Sequence, residues 1–300
     1  MKRRRRIWIV LLLVAALTLG LAWSFHLFDG QPFLTAADVA DWDGSGIELR
    51  FFDVGQADSI LVRCGGDVML VDGGNRDDGP QLLAALTDRG VSRFTCVVCT
   101  HPHEDHAGGL SYLAKHIPMQ RALAPCREAE NYWFSDFAAE ASQSCGITVP
   151  APGDEFALGD AAVQVLGPLR WYDDMNDNSI ILRIVYGDTA FLLTGDATWV
   201  AEGELADSGA DIRADLLKVG HHGANSSSSY HFLELVAPDY AVISVGADNE
   251  HGHPGGYTLD RLGDAGIRVL RTDELGTVVC RSDGKRLSFG APERDGAAEK

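Results

Sequence analysis

Four residues at metal-ligand spacing, crowded into six positions, constrain this chain more than anything else in it. They are His101, His103, Asp105 and His106, in the string Thr100-His-Pro-His-Glu-Asp-His-Ala-Gly-Gly109, directly after the apolar run 94–99. Imidazole and carboxylate are the natural ligands of zinc and of manganese-type ions. A His-x-His pair at a strand end lets both rings reach one ion, and the turn that follows lets Asp105 and His106 address a second. Two ions so placed activate water and stabilise charge developing on a substrate. The chain has ten histidines, and three of them fall in this segment, which argues against a polar loop that merely carries histidine.

The rest of the chain reads as a frame for that segment. Strand-like runs at 47–54, 59–63 and 68–71 are punctuated by glycine, and a helix is expected at 80–89 through Leu82, Leu83 and Leu86. The strand 94–99 and a helix at 110–116 follow. Further strands are expected at 162–166, 179–186, 190–193, 216–219, 240–245, 267–270, 277–280 and 287–289. Helices are expected at 198–207, 228–236 and 258–264. Strand clusters followed by strand–helix alternation give an α/β (α+β) fold, two mixed sheets with helices outside. Nothing divides 47–290, so it reads as one domain, with 29–46 a linker and 291–300 a flexible tail.

Residues 1–28 read differently. Lys2 and Arg3 to Arg6 are followed by a stretch, 7–28, without Asp, Glu, Lys or Arg, which is 22 residues and long enough to span a bilayer as one transmembrane helix. No A-x-A cleavage sequence follows at once, so an uncleaved signal-anchor is favoured over a cleaved signal and a secreted domain. The basic flank then stays in the cytoplasm, which places the rest of a single-pass membrane protein, everything after residue 29, on the extracytoplasmic side.

The net charge of −18 grows more negative once the N-terminal cations are set aside. Such a field keeps the domain soluble, offers no basic footprint, and argues against long nucleic acid as a partner. Six cysteines fit an oxidising compartment. Cys126 and Cys145 flank a helical segment and are candidates for a bridge, while Cys64 and Cys280 lie in strands near the two ends of the domain. Cys96 and Cys99 read as buried strand residues, because no helix N-terminus follows to lower a thiol pKa.

The ligand string resembles the H-x-H-x-D-H signature of the metallo-β-lactamase superfamily. Further segments match in order over nearly all of 47–290: Phe52-Asp-Val-Gly-Gln-Ala-Asp-Ser59, Leu70-Val-Asp-Gly-Gly74, Asn178-Ser179, Leu193-Thr-Gly-Asp196, Lys218-Val-Gly-His-His-Gly223 and Gly252-His-Pro254. Among members the chain most resembles the hydrolase domain of the ComEC-type DNA-internalisation competence family. The resemblance implies a four-layer αββα sandwich with two divalent ions, Zn or Mn, at one edge of the paired sheets. It implies Asp196 as the carboxylate bridging both ions and His221 as the last ligand of the second, with His222 the alternative. Asp72 would accept a hydrogen bond from a ligating histidine. His253 would hold a substrate oxygen or donate a proton, or else only shape a turn.

Two features stay open at this point. Many members have a third histidine on the first ion, but none lies between His116 and His221 here, and Asn176, Asn178 and Ser179 occupy that place. The first ion then has fewer protein ligands, which tells against β-lactamase activity. Asp53 and Asp58 read equally as turn carboxylates, and the run 226–229 as phosphate-binding hydroxyls or as a helix cap.

The expected function is a metal-dependent phosphodiesterase or nuclease in which a metal-bridging hydroxide attacks phosphorus, with Asp105, His222 and His253 assisting. One alternative is a metallo-hydrolase of a carboxylic ester, lactone or thioester. Another is a non-catalytic anchored scaffold whose metal site is structural.

Overall fold

The computed structural model describes residues 42–290. The expected membrane span at 7–28, most of the linker and the tail 291–300 lie outside the described residues. Among the described residues no helix is long and apolar enough to cross a membrane.

Two sheets carry the molecule. In the first, β1 (Ile47–Phe51), β2 (Ile60–Cys64) and β3 (Asp67–Val71) form an antiparallel meander, and β4 (Cys96–Val98), β5 (Ala122–Leu123) and β6 (Ile147–Thr148) extend it in parallel. The last two strands, β14 (Val278–Ser282) and β15 (Leu287–Gly290), return to close its other edge against β1. In the second sheet β7 (Glu155–Leu158), β8 (Ala161–Gly167), β9 (Ile181–Tyr186) and β10 (Thr189–Leu193) are antiparallel. From β10 the sheet runs in parallel through β11 (Leu216–Lys218), β12 (Tyr240–Ile243) and β13 (Arg268–Arg271).

Three apolar layers show how the sequence builds four. Strand side chains alternate, so one face of each strand enters the space between the sheets and the other meets helices. On β10, Phe191 and Leu193 pack between the sheets while Ala190 and Leu192 pack beneath helices. The first sheet is covered by α1 (Gly79–Asp88), α3 (Leu110–His116) and α4 (Tyr132–Ser142), through Leu82, Leu86, Leu110, Leu113, Phe134 and Phe137. The second is covered by α5 (Trp199–Asp207), α6 (Tyr230–Val236) and α7 (Gly256–Asp264), through Leu205, Phe232, Leu233 and Leu262. Helices, sheet, sheet and helices make the expected αββα sandwich.

β1 departs from simple amphipathicity. Ile47, Leu49 and Phe51 face the inter-sheet core, yet Glu48 and Arg50 on the opposite face are fully buried too. Glu48 is held by Arg63 at 2.6 Å and Arg281 at 2.7 Å, and burial pushes the Arg50 guanidinium down to about 10 against the pull of Glu48. Charges at this depth persist because they are paired.

The structure differs from the sequence reading at short elements. β5, β6 and β7 were not expected, because two- to four-residue strands carry little periodicity. The strand at 94–99 shortens to β4, with Phe94 left in an isolated parallel bridge to Met119. All six cysteines are free, so the candidate Cys126–Cys145 bridge is not formed. Cys64 and Cys280 lie on opposite sides of β1, across from Ile47 and Leu49. Burial raises the Cys96 thiol to about 12 and that of Cys99 well above its usual range, as inert strand residues require.

Candidate metal centre

The expected ligands gather where β3, β4, β10 and β11 end. Ligands of α/β sheets sit at the carboxyl ends of strands, where loops converge on a rigid frame. Asp72 follows β3, His101 lies three residues past β4, Asp196 lies three past β10, and His221 and His222 follow β11. Asp105 and His106 stand on the single turn α2 (Glu104–Ala107). That turn docks by backbone hydrogen bonds: Gly73 N–H donates to His106 O, and Asp58 N–H donates to Asp105 O. A Cβ on Gly109 would collide with the Gly73 carbonyl, and one on Gly108 would meet Arg76 N at 2.5 Å. The Gly-Gly pair therefore permits close approach of two backbones, rather than leaving room beside an ion.

Each inner ring is oriented from behind. Asp72 sits in the left-handed region at φ +60°. Its Oδ1 accepts the Thr100 N–H at 2.7 Å, and its Oδ2 accepts the Thr100 hydroxyl at 2.7 Å and His106 Nδ1–H at 2.8 Å. That leaves His106 Nε2 facing inward, 3.3 Å from Asp196 Oδ1 and 3.8 Å from Asp105 Oδ2. His222 Nδ1–H donates to Ser244 O at 3.0 Å, and its Nε2 lies 3.2 Å from Asp105 Oδ2 and 3.5 Å from Asp196 Oδ2. Donor atoms of Asp105, His106, Asp196 and His222 all lie within 4.8 Å of one another. Beside them, His101 Nε2 faces His103 Nδ1 at 3.0 Å and stands 4.0 Å from Asp196 Oδ2.

The sequence reading favours His221 as the last ligand of the second ion, whereas the donor atom that joins Asp105, His106 and Asp196 within 4.8 Å belongs to His222. Both residues adopt left-handed backbone, φ +49° and +51°, so their rings diverge. His222 is buried beneath Ser244. His221 is 27% exposed, its Nε2 is 3.9 Å from Asp196 Oδ2, and its ring meets that of His253 at 5.4 Å between centroids. Strained backbone at consecutive non-glycine residues is a mark of functional sites.

The cluster fits a divalent cation. His106 Nε2 and Asp196 Oδ1 are buried and have no hydrogen-bond partner, although they face each other. Burial works against a charged Asp196, but His222, His106 and His101 outweigh it and hold the carboxyl well below the usual range. Burial likewise opposes ionised Asp105, and His106 and His222 prevail. His106 is pushed the other way: burial opposes its charge, while Asp196, Asp72 and Asp105 raise its pKa far above the imidazole range. Protons held between carboxylates in this way occupy positions that a metal takes on binding.

The description Metallo-beta-lactamase superfamily fits residues 52–247. The chain belongs to this superfamily. ComE operon protein 3 of Bacillus subtilis (strain 168) is 29% identical over 255 residues, covering 78% of this chain and 33% of that protein. Competence protein ComA of Neisseria gonorrhoeae is 33% identical over 272 residues, 89% of this chain and 37% of that protein. The chain thus spans about a third of the length of these competence relatives, and the expected resemblance to them is borne out. CmlA, a diiron β-hydroxylase from Streptomyces venezuelae, superposes with a TM-score of 0.53 at 16% identity, covering 81% of this chain and 55% of that one. YhfI of Bacillus subtilis gives 0.50 at 13%, covering 75% and 96%. At those identities the likeness speaks for the fold alone.

Around this superfamily site the supporting residues fall into place unevenly. Ser179 Oγ accepts the Asp196 N–H at 3.0 Å and lies 3.4 Å from His101 Nδ1, so it steadies both. Asn178 does not reach the cluster: its amide is consumed by the Tyr172 N–H and the Tyr172 and Asp174 carbonyls, pinning the loop before it. Asp53 is exposed and accepts the Gly55 N–H as a turn carboxylate. In the serine run, Ser229 caps α6 and the Ser227 hydroxyl binds the Gly220 and Ala224 carbonyls, which favours capping over phosphate binding. Helix α5 is capped by Thr198, itself held by Asp177, leaving the Asp196 carboxylate free of that task. His116 and His231 stand on helix surfaces, bound to Tyr112 O and Asp207.

Sequence reasoning missed the pair behind His222. Lys218 Nζ meets Asp58 Oδ2 at 2.8 Å with both side chains buried, and Asp58 Oδ1 is 3.6 Å from His222 Nδ1. The partners are too far apart in the chain for local spacing to reveal them. It also missed Gln56, which faces His253. Burial leads the causes that lower the His253 pKa to about 4, followed by His221 and His222.

Glu202 gives the fold a pH dependence of its own. It is fully buried on α5, with Oε2 accepting the Ser228 N–H and Oε1 unpartnered, and burial pushes its carboxyl from 4.5 up to about 8. Between those values the folded chain holds a proton that the unfolded chain has released. The stability this confers is complete below the lower value and is lost as pH rises through the upper one. Glu202→Gln is therefore expected to melt above the parent by a margin that widens from about pH 5 to about pH 9. Parallel melting curves across that range would refute this.

Proposed function

We propose that the protein is an exported, membrane-anchored, metal-dependent hydrolase of phosphodiester bonds, carrying two divalent ions, zinc or manganese, at this cluster. One observation carries the reading: Asp105, His106, Asp196 and His222 turn donor atoms into a single space, and two of those atoms have no protein partner. Asp105, His106 and His222 would hold one ion, His101 and His103 the other, with Asp196 between them. When bound, the ions supply a nucleophilic water at neutral pH and offset negative charge on the substrate.

The chain's own residues orient this chemistry. Asp72 and Ser244 O fix the rings of His106 and His222, and Thr100 and Ser179 brace His101 and Asp196. His253 stands on the open side beside His221 and offers a hydrogen bond to a substrate oxygen. His103 is exposed, and Asp105 and His221 are partly so, at 28% and 27%. An open polar edge favours a phosphodiester lying across it over a small ester in an enclosed apolar pocket. The acidic surface favours small phosphodiesters or envelope phosphoesters over long polyanions. Residues 7–28 would anchor the chain, with 42–290 on the extracytoplasmic side.

The full-length chain, purified in detergent, is to be assayed on a chromogenic phosphodiester with Mn²⁺ or Zn²⁺. Turnover should require metal, and should vanish with a chelator and in the double variant His103→Ala, Asp105→Ala. Bound metal without turnover would overturn the phosphodiester reading and direct attention to carboxylic esters.

A further inference from the structure

Three residues outside the metal ligands converge on His253. Asn249 clamps its backbone: Oδ1 accepts the His253 N–H at 3.0 Å, while Nδ2 donates to His253 O at 2.6 Å and to Gly246 O at 2.9 Å. The Gly246 N–H donates to Gln56 Oε1 at 3.2 Å, and the other end of that amide, Gln56 Nε2, lies 3.3 Å from His253 Nδ1. Gly246 has to be glycine for this, since a Cβ there would meet Gln56 N at 2.6 Å.

The chemistry of these groups leaves one arrangement. A backbone N–H can only donate, so the Gln56 end facing Gly246 must be the carbonyl oxygen. Turning the amide over would set NH₂ against N–H. The end facing His253 is then NH₂, which also can only donate. His253 Nδ1 must accept, and so carries no proton. A neutral imidazole with a bare Nδ1 bears its hydrogen on Nε2.

We propose that Gln56 is a positioning residue that fixes His253 as the neutral tautomer protonated on Nε2. The ring then presents one polar hydrogen and no net charge. It serves as a hydrogen-bond donor to substrate oxygen, and it is not a stand-in for the third histidine that the first ion lacks, because its Nδ1 is taken by Gln56 and its Nε2 carries the proton. What the donor serves rests on the phosphodiesterase reading, whereas the tautomer does not. Gln56 and Asp58 lie in one loop, so the segment that pairs with Lys218 behind His222 also sets the ring across the site.

The test is a long-range proton–nitrogen spectrum of the zinc-loaded, full-length chain with ¹⁵N-labelled histidine, the His253 signals being assigned by their loss in His253→Asn. His253 should show an unprotonated Nδ1 and a protonated Nε2. In Gln56→Glu an acceptor replaces the donor, and the proton should move to Nδ1. Turnover should then fall by about tenfold or more at unchanged metal content, in the range that orienting partners of site histidines command. Protonated Nδ1 in the parent protein, or an unaltered pattern in Gln56→Glu, would overturn the assignment. The stated tautomer in a chain that cleaves no phosphodiester would uphold the assignment and remove the phosphodiesterase reading instead.

Discussion

Asp196→Asn should strip the site of metal and lower turnover by about a thousandfold or more, since charge stabilisation at the reacting centre is lost together with the ions. In chelator the same change should also lower the melting temperature, because His222, His106 and His101 hold this buried carboxylate ionised in the folded chain. Asp196 Oδ1 faces His106 Nε2 at 3.3 Å, and Oδ2 faces His101, His221 and His222 at 4.0, 3.9 and 3.5 Å, so the carboxylate is turned to the cluster and caps no helix. The local fold leans on the backbone of this residue, whose N–H reaches Ser179, and on Thr198 and Asp177 for the cap of α5. Were the carboxylate a cap instead, its loss would cost about 1 kcal/mol of stability and leave metal in place. Metal content by elemental analysis decides between these. An Asn variant that keeps its ions would dismiss Asp196 as the shared ligand.

What the sequence made legible follows from how far apart the cooperating residues lie. His101, His103, Asp105 and His106 could be read because one strand end and one turn present them all. The layers could be read because strands such as β10 are apolar on both faces and the helices carry one apolar stripe. Which of His221 and His222 turns its ring into the cluster could not, since that depends on a left-handed backbone at two residues whose type does not announce it. Asn178 misled for a related reason: an amide in register with a missing ligand is equally suited to pinning a loop, and only the hydrogen-bond geometry separates those roles.

Lys218→Met should destabilise the chain by about 3–5 kcal/mol, as removing one partner of a buried ion pair does. For a domain of this size that amounts to roughly 6–20 °C in melting temperature. Lys218 and Asp58 are 0% and 1% exposed, so neither charge finds water once the other is gone. The double variant Lys218→Met, Asp58→Asn should recover much of the loss, since it leaves no buried charge unpaired. It should nevertheless bind metal about 10- to 100-fold more weakly than the parent, as loss of an orienting partner behind a ligand does, because Asp58 also approaches His222 Nδ1. Stability returning without metal affinity is the signature of a pair kept for placement rather than for folding energy. Lys218 ends β11 in one sheet, and Asp58 precedes β2 in the other. An ion pair between them ties the two sheets at the edge where the ligands of both must meet. Full recovery of both properties in the double variant would reduce the pair to packing.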